Sequence, residues 1–144
     1  MERDEIIAAA QELIRNNKVF VLATVGEDGG PRMRWMGDLV LDEPLTITMA
    51  CGAKSRKMDQ VRANPAAQLM FQTADYATVV TLFGTCEILT DAATKQRVWD
   101  ALPSLKDYSS GPDDPGLGIL CFKTQRVELL GLQTHGMAPL AVEL

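Results

Sequence analysis

No apolar run in these 144 residues approaches the roughly 18 that a membrane span needs. The N-terminus, Met-Glu-Arg-Asp-Glu, is acidic and mixed, where a secretory leader would be basic and then apolar. These two absences predict a soluble, cytoplasmic protein. Cysteine is scarce. Cys51, Cys86 and Cys121 are odd in number and far apart, and no CxxC occurs, which argues against a zinc site or a redox pair. Each lies in an apolar run and reads as a small packed hydrophobe. Histidine occurs once, at His135. Its loop-like segment, Leu132 to Gly136, offers it no orienting partner, so it reads as a surface or interface residue. No Ser/His/Asp set and no carboxylate pair stands out, and Asp113-Asp114 reads as solvated loop. Positive charge is in deficit, with 14 Lys and Arg against 19 Asp and Glu. A net charge of -5 argues against a nucleic acid or an anionic membrane surface as partner. There is no internal repeat, linker or low-complexity segment.

What is present is globular. Apolar residues make up 47% and charged residues 23%, and the length suits one domain with a real core. Residues 3–16 carry Ile6, Ile7, Ala10, Leu13 and Ile14 at helical spacing. Lys18 to Val25 is β-branched and aromatic, a strand covered on both faces. After a turn at Glu27 to Pro31, Arg32 to Leu41 alternates. Met33, Trp35, Gly37, Leu39 and Leu41 share one face, and Arg32, Arg34, Met36 and Asp38 the other. With Leu45 to Cys51 these close-spaced strands suggest a meander. Further strands are expected at Ala66 to Gln72, Asp75 to Leu89 and Leu117 to Leu130. Gly84 marks a bulge or tight bend. Thr90 or Asp91 caps a helix to about Leu102, with Val98, Trp99 and Leu102 as its stripe. Residues 103–116 read as irregular loop and 131–144 as a tail. Strands do not alternate with helices, so a doubly wound sheet is disfavoured. The expectation is a mainly β domain, a six-stranded antiparallel barrel with peripheral helices.

The chain is organised around Leu45 to Gln72. An apolar strand ends in Gly52, then come Lys54, Ser55, Arg56 and Lys57, a short helix, and Asn64-Pro65, which ends it. Ser55 stands where an N-cap belongs, with Asp59 in the first turn. Six of the 14 Lys and Arg fall between Arg32 and Arg62. A local basic cluster on an acidic chain suits one small anionic ligand, and a helix start with Arg and Lys suits a phosphate.

The run Pro-Arg-Met-Arg-Trp-Met at Pro31 to Met36, Ser-Arg-Lys at Ser55 to Lys57 and Asn64-Pro65 together resemble the pyridoxamine 5'-phosphate oxidase-like flavoproteins, and most of all their general stress protein group. The resemblance covers about Lys18 to Leu130 and implies an FMN-binding split β-barrel. It implies that Arg34, Trp35 and Met36 lie beside the flavin, that Ala50 and Cys51 contact it, and that Arg56 and Lys57 grip its phosphate with help from Ser55. It further implies a homodimer with the flavin at the interface, and an oxidoreductase of unknown substrate whose partner is a small-molecule substrate or an electron donor such as NAD(P)H. A flavin-binding stress protein without turnover and a haem-binding split barrel are the alternatives. The true oxidase also uses a C-terminal segment with a Trp, an Arg and a closing Arg-Leu-x-Pro. Nothing after Arg126 in this sequence is cationic except His135, so the substrate half of that pattern is not expected here.

Overall fold

The computed structural model describes residues 1–131 and 138–144. In chain order it holds α1 (Arg3–Arg15), β1 (Val19–Val25), β2 (Pro31–Gly37), β3 (Val40–Asp42), β4 (Thr46–Gly52), α2 (Arg56–Ala63), β5 (Ala66–Gln72), β6 (Val79–Leu89), α3 (Ala92–Ala101), β7 (Leu117–Leu130) and β8 (Leu140–Glu143), with a 3-10 turn at Pro103–Asp107. The strands form one antiparallel sheet in the order β2-β1-β5-β6-β7-β4-β3, and β8 pairs with β7. The class is the expected one, mainly β, with three α-helices among the described residues. Those residues hold eight strands where the sequence predicts six, and β1 to β4 do not form the expected meander. Instead β1 pairs with β2 and β3 with β4 as separate hairpins at opposite ends of the sheet. β4 finds its second partner in the distant β7, Met49 facing Leu120.

Two local causes account for the difference. The alternation of β2 breaks at Asp38, which takes φ 63, so Leu39 turns inward and β3 begins afresh. A left-handed residue costs energy, and Asp tolerates it better than most because its side chain can bond locally. Here Asp38 Oδ1 accepts the Leu39 N–H at 2.9 Å. Residues 75–78 form a turn in which Asp75 and Thr73 bond one another, so β6 starts at Val79. The bend expected at Gly84 is present as a register shift between Phe83 and Gly84. A Cβ at Gly84 would overlap the Lys123 carbonyl oxygen, so only glycine lets β7 pass there.

The sheet curls, and two helices sit within the curl. α1 sends Ile6, Ile7, Ala10, Leu13 and Ile14 into a core that includes Phe20, Leu22, Leu69, Phe71 and Phe122. Phe20 and Phe71 stack with centroids 4.8 Å apart. α2 adds Met58 and Val61 to the same core. α3 lies outside, where Val98 and Leu102 pack against Leu117, Ile119 and Ala50. Asp91 caps it, accepting the Thr94 N–H at 2.9 Å. No helix of the described residues is long and apolar enough to cross a membrane.

A cationic groove at the start of α2

The loop from Gly52 to Ser55 carries the chain from β4 into α2. Its backbone is tied to the approach of β7, Ala53 N–H to the Gly116 oxygen at 2.9 Å. Gly118 permits this closeness, because a Cβ there would meet Met58 Cε at 2.9 Å and Ala53 Cα at 3.1 Å. Ser55 occupies the N-cap position with extended backbone, but its hydroxyl does not cap. It turns back and donates to the Gly52 oxygen at 2.7 Å. The first turn of α2 therefore keeps N–H donors for something else. At the far end, Asn64 is extended ahead of Pro65, and the helix stops.

Beside this helix start is a groove of about 520 Å³. Arg32, Arg34, Lys54, Arg56 and Lys57 line it, and no carboxylate does. Arg32 is neutralised by Asp28 at 2.9 Å. Among the described residues, Lys54, Arg56 and Lys57 make no ion pair. Arg34 is held differently. Its guanidinium donates to Thr24 Oγ1 at 2.7 Å and to Gln60 Oε1 at 2.8 Å, and Thr24 donates to the same Gln60 oxygen at 2.6 Å. Burial, and then the like charge of Arg56, pull the Arg34 pKa below its ordinary value. An arginine remains charged under such a pull, so the clasp fixes a cation between β1, β2 and α2.

Cys51 lies where β4 runs into this loop, its sulfur 3.6 Å from Met58 Sδ. Burial raises its thiol pKa, against the opposing pull of Lys57, Ser55 and Arg34. The thiol stays protonated at neutral pH and is no ready nucleophile. Among the described residues no group of His, Cys, Asp and Glu could hold a metal ion.

Of the residues expected at the site, Arg34, Cys51, Ser55, Arg56 and Lys57 come together. Met36 shares the inner face with Arg34 but is buried against Phe20 and the core. Trp35 and Ala50 do not join them through their side chains. Trp35 points to the outer face and is 64% exposed, and Ala50 packs against the α3 cluster. Period-two alternation requires this, since Trp35 and Met36, like Ala50 and Cys51, are adjacent on a strand and face opposite ways. β2 is an edge strand, so its outer row of peptide groups is free to meet a ligand or a partner. His135 lies outside the described residues. Thr24 and Gln60 were not foreseen. Gln60 stands one helical turn after Arg56, a spacing that places both on one face, and that was the available signal.

A curled antiparallel sheet with helices in its mouth is a split β-barrel, and the cationic groove lies at its rim. Residues 6–131 match the sequence profile of the pyridoxamine 5'-phosphate oxidase family, and the chain belongs to that family. No curated protein matches the sequence. Among solved structures, a protein from Clostridium acetobutylicum related to general stress protein 26 is similar at 24% identity, with TM-score 0.86 over 99% of this chain and 97% of that one. A pyridoxamine 5'-phosphate oxidase-related, FMN-binding protein from Nostoc punctiforme is similar at 14% identity, with TM-score 0.68 over 98% and 94%. A heme-binding protein from Mycobacterium smegmatis is similar at 19% identity, with TM-score 0.76 over 99% of this chain and 60% of that one. These likenesses show the fold.

Proposed function

We propose that the protein is an FMN-binding oxidoreductase that works as a homodimer. The observation that carries this reading is the groove at the start of α2, with Lys54, Arg56 and Lys57 unpaired among the described residues of a chain whose net charge is -5. Three cations left together without carboxylate partners repel one another, and a dianionic phosphate relieves that. FMN supplies the hydride or electron chemistry when bound. The chain then has to bind and orient it. Arg56, Lys57 and the open first turn of α2 hold the phosphate. The clasped Arg34 presents a fixed positive charge, and the free edge of β2 offers peptide groups to polar atoms of the ring. No side-chain acid or base is required, in keeping with the protonated thiol of Cys51. The dimer reading is supported by the bare apolar face of β1, β2 and β5, where Val19, Met33, Trp35 and Met70 are 57%, 73%, 64% and 37% exposed. A two-fold partner seated there would lie along the free edge of β2 and close the groove from outside.

The test is the absorbance spectrum of the purified protein, followed by anaerobic addition of NADH or NADPH. Flavin bands that bleach with the reductant and return with air are expected. Flavin bands that no reductant bleaches would make it a flavin-binding protein without turnover. A Soret band without flavin would overturn the reading in favour of haem.

A further inference from the structure

On the other side of Arg56 lies a second cleft, of about 600 Å³, between the β1–β2 turn and α2. Arg56 and Gln60 line both cavities. The chemistry changes across them. The groove has five cations and no carboxylate, whereas the cleft has Glu27 and Asp59. A second phosphate would be repelled there. Glu27 is exposed and makes no ion pair among the described residues. Asp59 Oδ1 accepts from Arg62 at 3.0 Å, which leaves its other oxygen.

Gln60 connects the two. A guanidinium has donors only, so the amide atom facing Arg34 must be oxygen. The Thr24 hydroxyl meets the same oxygen. The amide nitrogen is thereby turned away from the clasp, and neither of its protons has an acceptor among the described residues. The groove thus supplies cations, Arg56 and the amide of Gln60 border both cavities, and the cleft supplies the carboxylates of Glu27 and Asp59. Phosphate oxygens need donors, and vicinal sugar hydroxyls suit carboxylate acceptors. Val25, Gly26 and Ala63 add a small apolar wall on which a flat ring can lie.

We propose that this cleft binds the nucleoside of a nucleoside 5'-phosphate moiety whose phosphate sits at Arg56. The moiety is the nucleotide half of a dinucleotide, either a flavin dinucleotide spanning both cavities or a nicotinamide dinucleotide acting as electron donor. The inference shares Arg56 with the flavin reading, but adenosine 5'-phosphate alone tests it.

Titration calorimetry with inorganic phosphate, adenosine 5'-phosphate, FMN, FAD and NADH decides. The nucleotide is expected to bind about tenfold or more tighter than inorganic phosphate, the worth of one or two further hydrogen bonds. Glu27→Ala and Ala63→Leu, both at exposed positions, are expected to remove that margin and leave FMN affinity unchanged. FAD binding tighter than FMN identifies one spanning ligand, and NADH binding to FMN-loaded protein identifies a separate donor. A nucleotide no tighter than phosphate overturns the proposal. A margin that survives both substitutions overturns it as well, since the nucleoside would then lie elsewhere. Loss of the margin with FMN still bound leaves the flavin reading standing, and the margin without FMN binding leaves this one.

Discussion

The two ends of the sheet are built from the same kind of strand and finished differently. At the β4–β7 end the outer face carries Thr48, Ala50, Leu117 and Ile119, and α3 lies over it, with Val98 wholly buried and Leu102 4% exposed. At the β2–β1–β5 end the outer face is also apolar. Val19, Met33, Trp35 and Met70 stand on it, and no helix of the described residues covers them. Among the described residues α1 and α2 pack in the curl, and α3 alone of the α-helices lies outside. One end is completed by the chain's own later residues. The other is left apolar on its outer face and cationic at its rim, the two needs that a second copy and a phosphate would meet. Strand composition alone does not say whether a face is solvent, core or interface. The element that the chain builds next, and the face on which it lands, decides it.

The contrast is broken most severely at the rim. Arg56→Ala with Lys57→Ala removes two charge-assisted bonds worth about 1.5–3 kcal/mol each. FMN affinity is expected to fall roughly 10²- to 10⁴-fold, with the circular dichroism of the apo-protein unchanged. Titration of apo-protein with FMN measures this, and equal affinities would move the phosphate elsewhere. Next in size is the covered end. Leu102→Ala opens a cavity under α3 and is expected to cost about 2–5 kcal/mol in denaturant unfolding. Trp35→Ala, on the bare face, is expected to change the stability of the isolated chain by no more than about 0.5 kcal/mol. Equal losses from the two would erase the distinction between covered and bare.

Smaller again is the effect of a charge placed on the bare face. Trp35→Lys is expected to weaken self-association by about 2 kcal/mol, roughly 30-fold, as for a central aromatic anchor. Sedimentation across a concentration series reads it. A native chain that stays monomeric at micromolar concentration would remove the dimer from the proposed function.

These contrasts were unevenly legible in the sequence. α1, α2 and α3 were readable because apolar spacing, the cap at Asp91 and the stop signal at Asn64-Pro65 are local. The cationic groove was readable because its residues crowd into one stretch. Pairing was not. β4 and β7 meet across some seventy residues, and closeness in sequence wrongly favoured a meander. The break at Asp38 depends on one backbone angle that alternation does not encode. Thr24 reaches the site through its contact with Arg34, which no spacing rule within a single strand reveals, and for Gln60 the one local signal is its place a helical turn after Arg56. The family resemblance groups Trp35 and Ala50 with the site, and strand parity turns their side chains away from those of Met36 and Cys51.

The smallest expected effect concerns the loop that braces the covered end against the rim. Asp114 read as solvated, yet it organises residues 109–116. Its carboxylate accepts the Gly116 N–H at 2.8 Å, the Ser110 N–H at 3.1 Å and the Ser109 hydroxyl at 2.8 Å. Those bonds, Gly116 first, hold its pKa down to about 2 from the usual 3.8. The Gly116 oxygen in turn receives Ala53, at the start of the cationic loop. A carboxyl whose pKa is depressed by folding stabilises the fold above its unfolded value, and that contribution fades as pH falls towards the folded one. The native chain is therefore expected to lose stability between pH 3.8 and about 2 more steeply than Asp114→Asn. At neutral pH the order is direct, with the native chain the more stable. Acid unfolding of the two proteins measured side by side checks the sign. Parallel curves would mean that the ionised carboxyl does not hold this loop, and that the rim is braced by the β4–β7 pairing alone.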